Sequence, residues 1–126
     1  MDSIKEALTF DDVTLAPNYS EILPSQVNTS IKLTPKLNIN IPLLSSAMDT
    51  VTESSMALAL HRAGGLGVIH RYNTINQQAD IVKEVLAQDE SVPVAVAIGA
   101  TGDYLKRAER ALHLGVRVLC IDTAHG

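Results

Sequence analysis

The chain has 126 residues, of which 46% are hydrophobic, 19% charged and 3% aromatic, and its formal net charge is -4. This is the length of one domain, and the hydrophobic fraction is large enough for a core, which excludes a disordered chain. The acidic balance, the few aromatics and the lack of a Lys/Arg block argue against nucleic acid or an anionic membrane as the main partner.

The cysteine content and the chain start indicate the compartment. Cys120 is the one cysteine, so the sequence offers neither an internal disulfide nor a cysteine-rich zinc site. The first residues contain no apolar signal-peptide core, and the longest apolar stretch, 92–100, is about half the ~20 residues of a membrane helix. We therefore expect a soluble protein of the cytoplasm.

The first forty residues differ from the rest of the chain. They are rich in Pro, Asn, Ser and Thr and contain short apolar pairs such as Ile31 and Leu33. This composition predicts loops with a short strand or hairpin. We therefore divide the chain into an N-terminal arm, 1–40, and an α/β region, 41–126.

Four apolar segments predict strands after residue 40. They cover 41–48, 66–70, 92–98 and 116–122, and Pro42 is tolerated only because it lies at the beginning of its strand. Three of the segments are nearly continuous rather than alternating in hydrophobicity. That pattern is typical of parallel strands that are covered on both faces.

Three helices are predicted between these strands. Thr50 and Glu53 have the spacing of a capping box at the start of the first helix, and Thr74 and Gln77 repeat it at the start of the second. Gly64 and Gly115 predict the ends of the first and third helices. The carboxylate of Asp103 is a candidate N-cap of the third helix.

Strand starts recur about every 25 residues, which is the size of one β/α unit with parallel strands. Two architectures fit this pattern. A flavodoxin-like doubly wound sheet is complete at this length, whereas a (β/α)8 barrel needs roughly 250 residues. Length alone favours the complete sheet.

Four motifs carry a resemblance to a known family. They are 8–13 (Leu-Thr-Phe-Asp-Asp-Val), 41–53 (ending Ser-Ser-Ala-Met-Asp-Thr-Val-Thr-Glu), 64–70 (Gly-Gly-Leu-Gly-Val-Ile-His) and 121–126 (Ile-Asp-Thr-Ala-His-Gly). In this order they closely resemble the inosine monophosphate dehydrogenase and guanosine monophosphate reductase superfamily over essentially the whole chain. Thr52-Glu53 and the 121–126 motif resemble the dehydrogenase branch.

The resemblance implies a parallel (β/α)8 TIM barrel, of which this chain would be the N-terminal half, and so it overrides the length argument. The chain departs from the family pattern in two respects. The segment 86–91 leads directly to Val92, which leaves no room for the cystathionine-β-synthase-type regulatory modules that most such dehydrogenases insert there. The family's nucleophilic cysteine follows the sixth strand, and this chain reaches only the fourth.

The resemblance also implies an activity. In the family, a cysteine thiolate adds to C2 of inosine monophosphate, hydride passes to NAD, and hydrolysis releases xanthosine monophosphate. A potassium ion orders the cysteine loop, through ligands outside this chain, and the enzyme is a homo-oligomer, a tetramer in the family. The chain would contain no catalytic residue and would be inactive alone.

Three alternatives remain open on the sequence. The chain belongs to the reductase branch, or it is a non-catalytic flavodoxin-like binding module, or it is a truncated product with only an interaction role.

The resemblance assigns four site residues. Ser46 and Met48 would contact the purine nucleotide, Asp122 would bind the nicotinamide ribose of NAD, and Thr123 would neighbour the same cofactor. The spacing alone leaves structural roles open. From spacing alone, Met48 fits a core position and the Ser46 hydroxyl fits a bond to backbone, whereas for Asp122 the alternative of a helix N-cap is less favoured than contact with the cofactor.

Several other residues invite a functional interpretation. The glycines of 64–67 follow a helix and precede a strand, the reverse of a phosphate cradle, so we expect a helix end and tight packing. Residues 99–102 have the correct order without the spacing and are predicted as a turn. His70 and His125 follow strands but lack metal-ligand spacing, so no metal site is predicted.

The sequence also predicts roles for two residues near these strand ends. Arg71 is placed to meet an anionic or cofactor group. Cys120 lies within an apolar strand and is predicted to be an inert core residue rather than the nucleophile.

Overall fold

An antiparallel hairpin precedes a four-stranded parallel sheet in the computed structural model, which describes residues 4–125. Two short 3-10 turns precede the hairpin, at Phe10–Asp12 and Pro24–Gln26. The hairpin consists of β1 (Ile31–Thr34) and β2 (Leu37–Ile39). The sheet consists of β3 (Leu44–Ser45), β4 (Leu66–Ile69), β5 (Ala95–Ile98) and β6 (Val118–Ile121). The helices between these strands are α1 (Ser54–Arg62), α2 (Ile75–Gln88) and α3 (Tyr104–His113).

The sheet has the strand order β3-β4-β5-β6, and every neighbouring pair is parallel. This confirms the predicted α/β class with a parallel sheet. The order follows the chain without the reversal that a doubly wound sheet requires, so the flavodoxin-like order favoured by length is wrong for the described strands. The four strands form an open sheet rather than a closed barrel.

The two faces of the sheet have different coverings, because successive strand residues point to opposite sides. One face packs against all three helices and the other packs against the hairpin. The helix face includes Ala57, Ile69, Val82, Val96 and Ala111. The hairpin face includes Leu37, Ile39, Leu66, Val68, Ala95 and Ala97. None of the described helices combines the length and the apolarity needed to cross a membrane.

Glycines allow α1 to pack closely on the sheet, as predicted for 64–67. A Cβ built on Gly67 would lie 2.7 Å from the Cα of Ala57, and one on Gly65 would lie 2.6 Å from the carbonyl oxygen of Leu43. Gly64 ends α1 with a φ of 95°. The segment 99–102 is a turn into α3, as predicted, with Gly102 at a φ of 71°.

All four strands are shorter than predicted, and local backbone bonds explain this for the first and third. The segment 41–48 contains only the two-residue strand β3, because Pro42 has no N–H and the N–H of Leu43 turns back to the carbonyl of Ile41 at 2.9 Å. Similarly, the N–H of Val94 donates to the carbonyl of Val92 at 2.9 Å, so β5 begins at Ala95. The connection between α2 and β5 consists of residues 89–94 and holds no inserted module.

One of the two predicted capping boxes is present. At α2 the Thr74 hydroxyl accepts the Gln77 N–H at 3.2 Å and the Gln77 side chain accepts the Thr74 N–H at 2.9 Å. At α1 the prediction from Thr50 and Glu53 is wrong, because Glu53 is the N-cap residue and its carboxylate binds His70 instead of the helix amides.

The predicted cap of α3 has the correct residue but a different bond. Asp103 is the N-cap residue, yet its carboxylate makes no capping bond. It accepts a hydrogen bond from Arg107 at 3.1 Å instead. The guanidinium of Arg107 therefore binds the carboxylate that would otherwise accept a backbone N–H of the helix.

The arm before the hairpin lies on the surface and exposes large apolar side chains. Ile4, Phe10, Leu15 and Tyr19 are each at least 87% exposed. The Thr29 hydroxyl donates to the carbonyl of Asn40 at 2.9 Å, which fastens the end of the arm beside the hairpin.

We expect Gly67→Ala to lower the free energy of unfolding by about 3 kcal/mol, because the new methyl group would displace the backbone of α1. Urea denaturation measures the change. Gly102→Ala is the control, since its Cβ would meet no atom within 4 Å and only its positive φ costs about 1 kcal/mol. Equal losses in the two variants would contradict close packing at Gly67.

Candidate functional site

A cavity of about 400 Å³ opens at the carboxyl ends of β3 and β6. This is the edge of a parallel sheet at which α/β proteins commonly bind ligands. Its lining joins residues after β3, the hairpin face of β4 and β6, and the loop after β4. The lining includes Ser46, Met48, Val68, Tyr72, Cys120 and Asp122.

Ser46 and Met48 follow β3 and are both exposed in the cavity. Met48 is 49% exposed and belongs to neither core cluster of the described residues. The Ser46 hydroxyl makes no hydrogen bond to another residue within 4–125, so the alternative of a backbone bond is also not observed. A hydroxyl and a soft thioether therefore face the same space.

Asp122 follows β6 and continues its pairing with β5, since its N–H donates to the carbonyl of Ile98 at 2.8 Å. Its carboxylate accepts a hydrogen bond from Nε of Arg71 at 3.3 Å. Both side chains are about one third exposed (35% and 34%), so solvent screens their attraction and the pair mainly fixes orientation. Arg71 was expected to meet an anionic or cofactor group rather than to serve structurally, and within the chain it pairs with the carboxylate of Asp122.

Thr123 lies next to Asp122 but its hydroxyl is engaged locally. It donates to the carbonyl of His125 at 3.0 Å and accepts the His125 N–H at 3.4 Å. Both residues are exposed, and the described lining of the cavity does not include them. Thr123 therefore lies at the rim beside Asp122.

His70 is buried at the end of β4, and both of its ring nitrogens are engaged. The N–H of Tyr72 donates to Nδ1 at 3.1 Å, so Nδ1 carries the lone pair and the proton is on Nε2. Nε2 donates to the carboxylate of Glu53 at 2.9 Å. His70 and His125 do not converge on a metal site, and residues 4–125 contain no group of three or more side chains arranged to hold a metal ion.

Cys120 packs against the hairpin-face core, as predicted for a residue of an apolar strand, but it is only partly buried and also lines the cavity. The reason is its strand: β6 lies at one edge of the described sheet, and the hairpin covers only part of that face.

Two buried polar residues that sequence analysis missed hold the strand ends in place. Gln78 of α2 is 3% exposed, and its Nε2 donates to the carbonyls of His70 and Ala97, each at 2.9 Å. Arg107 of α3 donates to the side chain and carbonyl of Asn73 at 3.1 and 2.7 Å. Gln78 was detectable as a polar residue on the apolar stripe of α2, whereas nothing local marks the partners of Arg107.

We expect Gln78→Met to lower the free energy of unfolding by about 2–3 kcal/mol, because it leaves two strand-end carbonyls without their donor. Thermal or urea denaturation measures the loss. Gln88→Met, at the exposed end of α2, makes the same chemical change and is expected to shift stability by less than about 0.5 kcal/mol. Equal losses of unfolding free energy in the two variants would show that the two hydrogen bonds of Gln78 do not stabilise the fold.

Comparison with known proteins shows which family this chain matches. The family model described as IMP dehydrogenase / GMP reductase domain matches residues 7–126. An inosine-5'-monophosphate dehydrogenase of Staphylococcus epidermidis is 53% identical over 88 residues, or 70% of this chain. Those of Aquifex aeolicus and Bacillus subtilis are 51% identical over 96 residues (74% of the chain) and 53% identical over 88 residues (70%).

The matched region is a small part of these relatives. It covers 18% of the length of the Staphylococcus epidermidis and Bacillus subtilis proteins and 20% of the Aquifex aeolicus protein. These relatives are therefore several times as long as this chain.

Proposed function

Because the chain belongs to the IMP dehydrogenase / GMP reductase family, we propose that it is the N-terminal portion of a dehydrogenase that oxidises inosine monophosphate to xanthosine monophosphate with NAD. One observation carries the proposal: Ser46, Met48 and Asp122, from opposite edges of the described sheet, line one cavity. The family resemblance assigns the first two to the purine nucleotide and the third to the cofactor.

The purine occupies the side of the cavity formed by Ser46 and Met48. The thioether of Met48 is polarisable and packs on the flat face of an aromatic ring. The free hydroxyl of Ser46 supplies both a donor and an acceptor for the nucleotide. Together they bind and orient the substrate without taking part in bond formation.

Asp122 binds the cofactor end. Oδ2 is oriented by Arg71, and Oδ1 has no hydrogen-bond partner within 4–125, so the carboxylate can accept the hydroxyls of a ribose. The partial exposure of Asp122 and its place in the cavity lining fit this role. NAD supplies the hydride acceptor when bound, and Thr123 lies beside the same cofactor at the rim.

The sheet is one half of the proposed barrel. Sequential parallel order with all three helices on one face is the arrangement of consecutive β/α units in a barrel, and β3 and β6 would pair with the units that close it. The nucleophilic cysteine and the potassium ligands would lie in that second half. The apolar residues exposed by the arm support self-association, which agrees with a homo-oligomeric enzyme.

The dehydrogenase branch is favoured over the reductase branch. The three relatives described above carry the dehydrogenase name, and Thr52-Glu53 has the dehydrogenase pattern. The reductase remains the alternative, distinguished by oxidation of inosine monophosphate against reduction of guanosine monophosphate.

We expect Met48→Ala to weaken binding of inosine monophosphate to the 126-residue chain by about tenfold, since it removes a side chain that packs on the purine. Amide shift changes at Cys120 and Asp122 during an NMR titration report the affinity. Met56→Ala is the control, because Met56 lies on α1, outside the described lining of the cavity. Equal affinities for the wild type and Met48→Ala, or no shift changes in the cavity, would contradict the substrate site.

We expect the 126-residue chain to show no turnover with inosine monophosphate and NAD, because its thiol, Cys120, lies within β6 rather than on a loop beside the cofactor. The absorbance of NADH measures the reaction. The Bacillus subtilis dehydrogenase is the positive control. Sustained NADH formation by this chain would show that it contains a complete catalytic centre.

A further inference from the structure

Thr52 is fully buried directly before α1, and its hydroxyl contacts the end of β3. The hydroxyl oxygen lies 2.6 Å from the carbonyl oxygen of Ser46 and 2.7 Å from Oγ of Ser45. A carbonyl only accepts hydrogen bonds, so Thr52 donates its one hydroxyl proton to Ser46. The Ser45 hydroxyl must then donate to Thr52, which fixes the direction of both bonds.

The backbone of the same residue holds Met48. The N–H groups of Val51 and Thr52 both donate to the carbonyl of Met48 at 3.0 Å. The N–H of Met48 in turn donates to the carbonyl of Ser46 at 2.9 Å. Thr52 therefore bonds to both proposed substrate residues, to one through its hydroxyl and to the other through its N–H.

The loop of residues 46–52 depends on these hydrogen bonds because β3 is only two residues long. Beyond Ser45 the chain leaves the strand pairing, and Ser46 and Met48 have no ladder bonds to fix them. The carbonyl of Thr52 accepts the N–H of His70 at 3.4 Å, which also connects the loop to the end of β4. Thr52 thus links the loop to β3 through its side chain and to β4 through its backbone carbonyl.

We propose that Thr52 is a positioning residue that holds Ser46 and Met48 in the arrangement that binds the purine nucleotide. The inference rests on the proposed function. Thr52 does not touch the nucleotide, since its side chain is buried behind the loop. A purely structural role would change stability and leave the affinity of the folded chain unaltered, whereas positioning changes the affinity itself.

Two substitutions separate these roles. Thr52→Val keeps the shape and removes the hydroxyl, and it is expected to weaken binding of inosine monophosphate by about tenfold in the NMR titration. Thr52→Ser keeps the hydroxyl and is expected to bind within about twofold of the wild type. Val82→Ala, a truncation in the core on α2, is the matched control that lowers stability without changing affinity.

A second measurement needs no nucleotide. Hydrogen exchange at the Met48 and Thr52 amides is expected to accelerate in Thr52→Val and to stay near the wild-type rate in Thr52→Ser. If Thr52→Val does not fold, Ser45→Ala replaces it, because it removes the donor to Thr52 and is expected to weaken binding severalfold.

The outcomes distinguish the two proposals. If the wild type binds and Thr52→Val, or Ser45→Ala in its place, binds equally well, the positioning role is overturned and the proposed function stands. If Thr52→Ser is as impaired as Thr52→Val, the hydroxyl is not the cause and the positioning role is again overturned. A wild-type chain that does not bind inosine monophosphate overturns both.

Discussion

Parallel pairing of four strands in chain order is the constraint on which the rest of the structure depends. It places the carboxyl ends of β3, β4, β5 and β6 at one edge, so residues as distant in sequence as Ser46 and Asp122 share a cavity. It also places the three helices on a single face, where Gly67 allows α1 to approach the sheet. The opposite face is then left to the hairpin and the cavity.

The polar groups at this edge serve both stability and the site. Parallel strands end with backbone groups that the ladder no longer satisfies, and buried side chains take their place. Gln78 satisfies two carbonyls at the ends of β4 and β5, and Thr52 satisfies one after β3. Arg71 similarly holds the carboxylate after β6. The groups that complete the fold are therefore neighbours of those that would bind ligand.

Local sequence signals predicted the elements, and long-range bonds decided the details. The Thr74 capping box and the glycine ends after α1 and α3 were predictable because their partners lie within a few residues. The Thr50–Glu53 box failed because Glu53 binds His70, seventeen positions away. Cys120 packs against the core but is less buried than predicted, because strand hydrophobicity does not show which strand lies at an edge. Length alone suggested a doubly wound sheet, and only the motif resemblance indicated barrel order.

The proposed function therefore requires a purine to lie against the end of β3, on the same side of the sheet as Asp122. The most direct test is an intermolecular nuclear Overhauser effect between the purine protons of inosine monophosphate and the chain labelled at its methionine methyl groups. From this placement we expect contacts to the ε-methyl group of Met48 and none to that of Met56. Contacts confined to another surface, with the Met48 methyl group silent in the bound state, would contradict it.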